Sequence, residues 1–181
     1  MLFNSLEFLV FLPIVFAGYW LLARHLRLQN LFVVAVSYVF YGWWNWKFLL
    51  LIAFTSLCSW LSGILINRYH PHAKLIMVCN IVLNLAILGL FKYYDFFVTE
   101  FAQLLGFGTD RLLLNIILPV GISFYTFQAL SYSIDVYRHK IEPTQDVVTF
   151  FAYVSFFPQL VAGPIERSKN LLHQVNEEHD F

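Results

Sequence analysis

Four residues between positions 125 and 135 are the side chains best placed to do chemistry: Tyr125, Gln128, Tyr132 and Asp135. Their spacings of three, four and three set them on one face of an α-helix. The other faces of that stretch are Phe, Leu, Ile, Val, Ala and Ser. A carboxylate and an amide inside a hydrocarbon-length segment cost free energy unless they face a partner, a protein interior or water. The stripe is therefore expected to line a bundle interior or a cavity, and it marks a candidate site. Two plainer roles stay open: Gln128 and Asp135 can bind neighbouring helices, and Asp135 can pair with Arg138 one turn on at the membrane surface.

Other reactive residue types are less promising. His139 lies beside the stripe in the run YRHK, but two basic neighbours at an expected membrane surface favour a solvated or lipid-facing role over that of a general base. His70 and His72 flank Pro71 in a polar loop, too few ligands for a metal site. The chain holds no GxSxG, no HExxH, no CxxC pair and no phosphate-cradling glycine loop. No metal or cofactor is expected. Cys58 and Cys79 fall in apolar segments and read as small hydrophobes rather than a disulfide.

The elements that must position the stripe are membrane-like. Of the 181 residues, 60% are hydrophobic, 19% aromatic and only 12% charged, and the mean hydropathy is +0.68. That balance lies outside the soluble range and places the chain in a bilayer. Eleven basic against eleven acidic residues give zero formal net charge, which points to no nucleic-acid partner and no polybasic lipid-binding patch.

Spans are expected at about 6–23, 31–46, 48–66, 75–91 and 112–137, with an interfacial helix at about 93–107. MLFNSLE supplies neither the positive region nor the cleavage site of a secretory signal, so the first segment reads as a retained helix. Arg24 to Asn30 reads as a loop, and the Trp-rich end of the second segment as an interfacial belt. Thr55, Ser59 and Gly63 recur at intervals of four, a stripe small enough for another helix to approach closely. Asn80 and Asn84, one turn apart, should bond inward to the third or fifth helix. VVTFFAYVSFF at 147–157 is too short to span alone, and Pro158, Gly163 and Pro164 interrupt any continuation. A broken or re-entrant segment at about 147–165 is expected near the stripe, with Pro158, Gln159, Gly163 and Pro164 shaping its buried turn and Glu166 and Arg167 pairing at its mouth. Ser168 would cap a short amphipathic helix at about 168–176. The richer basic loops follow the first, third and fifth segments, which predicts a multi-pass protein with its N-terminus outside the cytoplasm.

The run PVGISFYTFQALSYSIDVYR, followed by FFAYVSFFPQLVAGPIER, resembles the membrane-bound O-acyltransferase family, and most closely its bacterial branch for alginate O-acetylation and teichoic-acid D-alanylation. MLFNSLEFLVFLPIVFAGYWLL and SYVFYGWWNWKFLLLI are similar to the opening helices of the same proteins. The resemblance covers essentially the whole chain but less than half of the family's length. It implies an all-α, polytopic helix bundle of the cell inner membrane, the N-terminal part of the family's fold. Such proteins move an acyl group, often from a carrier-bound thioester, to a hydroxyl acceptor in a membrane-embedded tunnel. The family's catalytic histidine lies in the C-terminal half, at no position before Phe181. The implied partners are the lipid bilayer, an acyl donor or carrier protein, a polysaccharide-modification complex, and the C-terminal half or a second polypeptide.

The expected function is thus that of an N-terminal fragment of an O-acyltransferase, acetylating a cell-surface polysaccharide such as alginate and inactive alone. Tyr125, Gln128, Tyr132, Asp135, Pro158, Gln159, Gly163, Pro164 and Arg167 are its tunnel or scaffold candidates. A non-catalytic scaffold subunit of a split acyltransferase is the alternative. A transporter, suggested by the broken segment and an intramembrane Asp135, is a more distant one.

Overall fold

A computed structural model describes residues 6–43, 46–105 and 121–162. The described residues form an all-α bundle: α1 (Leu6–Leu21), α2 (Leu26–Gly42), α3 (Lys47–Arg68), a 3-10 turn (His70–His72), α4 (Ala73–Leu105), α5 (Ile122–Tyr137), α6 (Val147–Ser155) and α7 (Phe157–Ala162). Helices α3 and the first part of α4 are long and apolar enough to cross a bilayer, and α1 is a shorter apolar helix. This is a membrane helix bundle, with Leu, Val and Phe on the outer faces and hydroxyls and amides turned inward.

Helix α5 is the centre. It packs on α3 and α4, while α6 fills the space between α2, α3 and α5. The small-residue stripe of α3 is what admits α5. A Cβ at Gly63 would stand 2.6 Å from Cε1 and 2.7 Å from the hydroxyl oxygen of Tyr132, so the phenol rests on bare backbone. Next to it, Asn80 donates to Ser133 at 2.7 Å and accepts from Ser59 at 3.3 Å, and Asn84 donates to the Asn80 carbonyl at 2.9 Å. The Ser62 and Ser133 hydroxyls meet at 3.0 Å. The two asparagines thus bond to both the third and fifth helices. In hydrocarbon such bonds replace water for groups that cannot stay bare.

Helix α1 has no buried residue and lies outside the bundle. Its Phe8 and Phe11 meet Phe40 of α2 at ring-centroid distances of 6.1 and 5.9 Å, and Phe11 meets Phe157 at 5.6 Å. Helix α5 ends in a Schellman arrangement, the His139 N–H donating to the Val136 carbonyl and the Lys140 N–H to that of Asp135. His139 takes the left-handed position with φ of 54°.

Three boundaries differ from expectation. Helix α2 begins at Leu26, so Gln29 and Asn30, read as loop beside Arg24 and Arg27, lie buried in its first turns. Gln29 donates to the Tyr19 carbonyl at 3.2 Å and Asn30 to the Thr149 hydroxyl at 3.3 Å. Helix α4 runs unbroken from Ala73 to Leu105 where a spanning and an interfacial helix were expected. Lys92 does not interrupt it, because a charged residue with its ammonium exposed is a tolerated helix former. The broken segment breaks at Phe156, with ψ of 104°, rather than at Pro158. Pro158 falls in the first turn of α7, where its missing N–H is no loss. Gly163, Pro164, Glu166, Arg167, the helix at 168–176 and the start of the span at 112–137 lie outside the described residues.

Candidate functional site

The stripe on α5 faces the interior. Tyr125, Gln128 and Tyr132 are each 0% exposed, and Asp135, one turn further on, is half-buried. Helix α6 packs against it. The Phe150 ring lies 4.6 Å from that of Tyr132, and the Tyr153 hydroxyl donates to the Gln128 carbonyl at 3.4 Å. The structure therefore brings Tyr125, Gln128 and Tyr132 into one core with α6.

The break between α6 and α7 is tied by hydrogen bonds on both sides. Asp146 caps α6 by accepting from the Val148 N–H at 2.9 Å. After the break, the Phe157 N–H donates to the Ser37 hydroxyl of α2 at 3.3 Å, and the Gln159 N–H to the Phe156 carbonyl at 3.1 Å. Non-helical backbone at membrane depth persists where protein groups satisfy it in this way. Gln159 is buried on α7, and Pro158 borders a groove of about 350 Å³ between α1, α2 and the break. That groove is mostly apolar, with Gln29 and Asn30 in its wall.

The stripe divides in two. At its outer end Tyr132 accepts from the Thr144 N–H at 3.2 Å, and the Trp60 indole donates to the Thr144 carbonyl at 2.9 Å. Thr144 thus pins the connection from α5 to α6 across α3 and α5. At its inner end, both polar atoms of the Gln128 amide and the hydroxyls of Tyr125 and Tyr41 are buried without a hydrogen-bond partner among the described residues. A buried amide left bare costs about 1–3 kcal/mol per group, so such a concentration calls for partners beyond the described residues.

Several contributors had little sequence signal. Ser37 is one small hydroxyl in an apolar helix, and Thr144 lies in a loop 84 residues from Trp60. The loop histidines His70 and His139 approach to 6.3 Å between ring centroids, and His139 is exposed, apart from the stripe. Among the described residues no group of three or more His, Cys, Asp or Glu could hold a metal ion.

Comparison with known proteins adds what geometry cannot. The chain is 39% identical, over 97% of its length, to the probable alginate O-acetylase AlgI of Pseudomonas aeruginosa, of which it covers 35%. It is 38% identical over 97% of its length to the protein of the same name from Azotobacter vinelandii, covering 36% of it. It is 30% identical over 99% of its length to the peptidoglycan O-acetyltransferase of Helicobacter pylori, covering 40% of that protein. The chain thus spans little more than a third of the relatives it matches. No family model and no solved structure matches it.

Proposed function

We propose that this chain, which matches O-acetylases over 97% of its length, is the N-terminal helical section of an enzyme of the bacterial O-acetylation branch of the membrane-bound O-acyltransferases, transferring acetyl groups to hydroxyls of a cell-surface polysaccharide. Alginate is the acceptor class favoured, since five of the six relatives are named for it. The observation that carries this reading is the match of 97% of the chain to O-acetylases of about three times its matched length.

In such a reaction the acceptor hydroxyl loses its proton to a base while its oxygen attacks the donor carbonyl. A C–O bond forms, the thioester C–S bond breaks, and the proton leaves with the thiol. The base, by resemblance a histidine, lies outside these residues. The chain's own part is structural and positioning. The α3–α4–α5 polar network fixes the helix that carries the stripe. Tyr125 and Gln128 present unpaired donors and acceptors to the rest of the enzyme or to a polar ligand, and Asp135 stands at the outer end of the same face. The protein is read as multi-pass in the inner membrane, N-terminus outside, on the charge of its loops.

Expression in cells that make alginate tests this. The chain alone should add no acetyl esters, and a complete relative carrying alanine at the position of Asp135 should insert normally but acetylate less. Acetyl transfer by the chain alone would overturn the positioning role, and normal activity of the alanine variant would make Asp135 structural.

A further inference from the structure

The groove under α1 takes no part in the stripe. Helices α1 and α2 run antiparallel, with Gln29 bonded to Tyr19 near their joining turn and Phe11 against Phe40 at the far end. They approach most closely at Gly18, where a Cβ would collide with the Phe32 ring. Beside that line of contact lies the groove of about 350 Å³, walled by Leu12, Phe16 and Trp20 of α1, by Gln29 and Val33 of α2, and by the break at Phe156, Phe157 and Pro158. None of Tyr125, Gln128 and Tyr132 lines it.

Its two ends differ in polarity. The turn end reaches the membrane surface, with Arg24 and Arg27 exposed beside it and Trp20 suited to the interface. Gln29 stands at that end, 1% exposed, and makes one bond, from its Nε2 to the Tyr19 carbonyl. Its side-chain oxygen and second N–H have no partner among the described residues. The other end is built of Leu12, Val36 and Phe157, all apolar. Leu12 and Phe16 are 45% and 64% exposed on the outer side of the bundle, so the groove opens sideways into hydrocarbon.

Left empty, the groove would forfeit dispersion contacts along its walls and keep the Gln29 amide bare. Its occupant must be apolar along most of its length and carry a hydrogen-bonding group at one end. A helix is excluded by size, since two turns of a cylinder about 10 Å across take on the order of 900 Å³. From Leu12 to Trp20 the groove follows about 12 Å of helix rise, close to the roughly 15 Å that the chains of one leaflet occupy. We infer that the groove is a binding site for one acyl chain of an ester-linked glycerophospholipid, the chain running from the surface to the break and its ester carbonyl accepting from the Gln29 amide. A chain seated there packs on α1 and on the break together, coupling the outermost helix to α6 and α7. The inference is independent of the acetyl-transfer reading.

The test is native mass spectrometry of the 181-residue chain in micelles holding equal amounts of ester-linked and ether-linked phosphatidylcholine of distinct mass, a neutral headgroup that leaves surface charge out of the comparison. One phosphatidylcholine should be retained per chain, the ester lipid favoured about three-fold, which is the worth of one side-chain hydrogen bond in a membrane protein. Val33→Phe fills the groove and should lower retention by about five-fold or more, the small end of an overpacking penalty. Val39→Phe, on the exposed face of α2, should leave retention unchanged. Gln29→Leu should keep the lipid and bring the ester and ether forms to parity. If that variant fails to insert, the ester preference of the unaltered chain still reports on the amide. No retained lipid, equal retention of the two lipids by the unaltered chain, retention unchanged by Val33→Phe, or a second copy of the chain held in place of the lipid would overturn the assignment.

Discussion

Replacing Gly63 by alanine asks whether α5 is seated as described. The added methyl would stand 2.6 Å from the Tyr132 ring, and that ring has nowhere to go. It is fully buried, with the Phe150 ring centroid 4.6 Å from its own and its hydroxyl fixed by Thr144. Overpacking a rigid core costs about 1–3 kcal/mol, and loss of the Thr144 bond adds about 1 kcal/mol. The better helix propensity of alanine offsets about 1 kcal/mol. A net destabilisation of about 1–3 kcal/mol is expected. Gly89 is the internal control, because a Cβ there meets nothing within 4 Å. Gly89→Ala should stabilise the chain by up to about 1 kcal/mol. Reversible unfolding in mixed micelles with rising dodecyl sulfate, followed by tryptophan fluorescence, would compare the two. Adding Tyr132→Ala should remove most of the penalty at Gly63, a coupling that a double-mutant cycle isolates. If Gly63→Ala is as stable as Gly89→Ala, the close approach of α3 and α5 is refuted.

Three further outcomes follow from the same structure. Asn80→Ala removes the bonds to Ser133 and Ser59 and should cost about 1–2 kcal/mol in the same assay, membrane side-chain bonds averaging about 0.6 kcal/mol each with maxima near 1.7. Asp146→Ala removes the α6 cap and should cost about 1 kcal/mol, with faster hydrogen exchange at Val148. Gln128→Leu removes two buried polar atoms that have no partner among the described residues and should stabilise the isolated chain by about 1–2 kcal/mol, while the matching change in a complete relative lowers acetylation.

What the sequence showed and hid follows from the range of the interactions. The stripe on α5, the small face of α3 and the paired asparagines of α4 are periodic along one helix, so a single repeat reveals which face turns inward. Partners across helices are not periodic. Nothing near Trp60 announces Thr144, and nothing near Phe157 announces Ser37, although each pair closes a backbone group that would otherwise be bare. Gln29 and Asn30 were hidden by their neighbours Arg24 and Arg27, whose charges suggest a loop although the amides are buried and bonded. The break at Phe156 escaped because proline marks the start of α7 as readily as the end of α6.

The central claim is that these helices are a working section of an O-acetyltransferase. A chimaera tests it most directly: this chain is put in place of the matching segment of the Pseudomonas aeruginosa relative, and acetyl esters on secreted alginate are measured. Acetylation is expected to return, and to fall again when Gln128→Leu is added. A chimaera that inserts stably and yet leaves alginate unacetylated would contradict the claim.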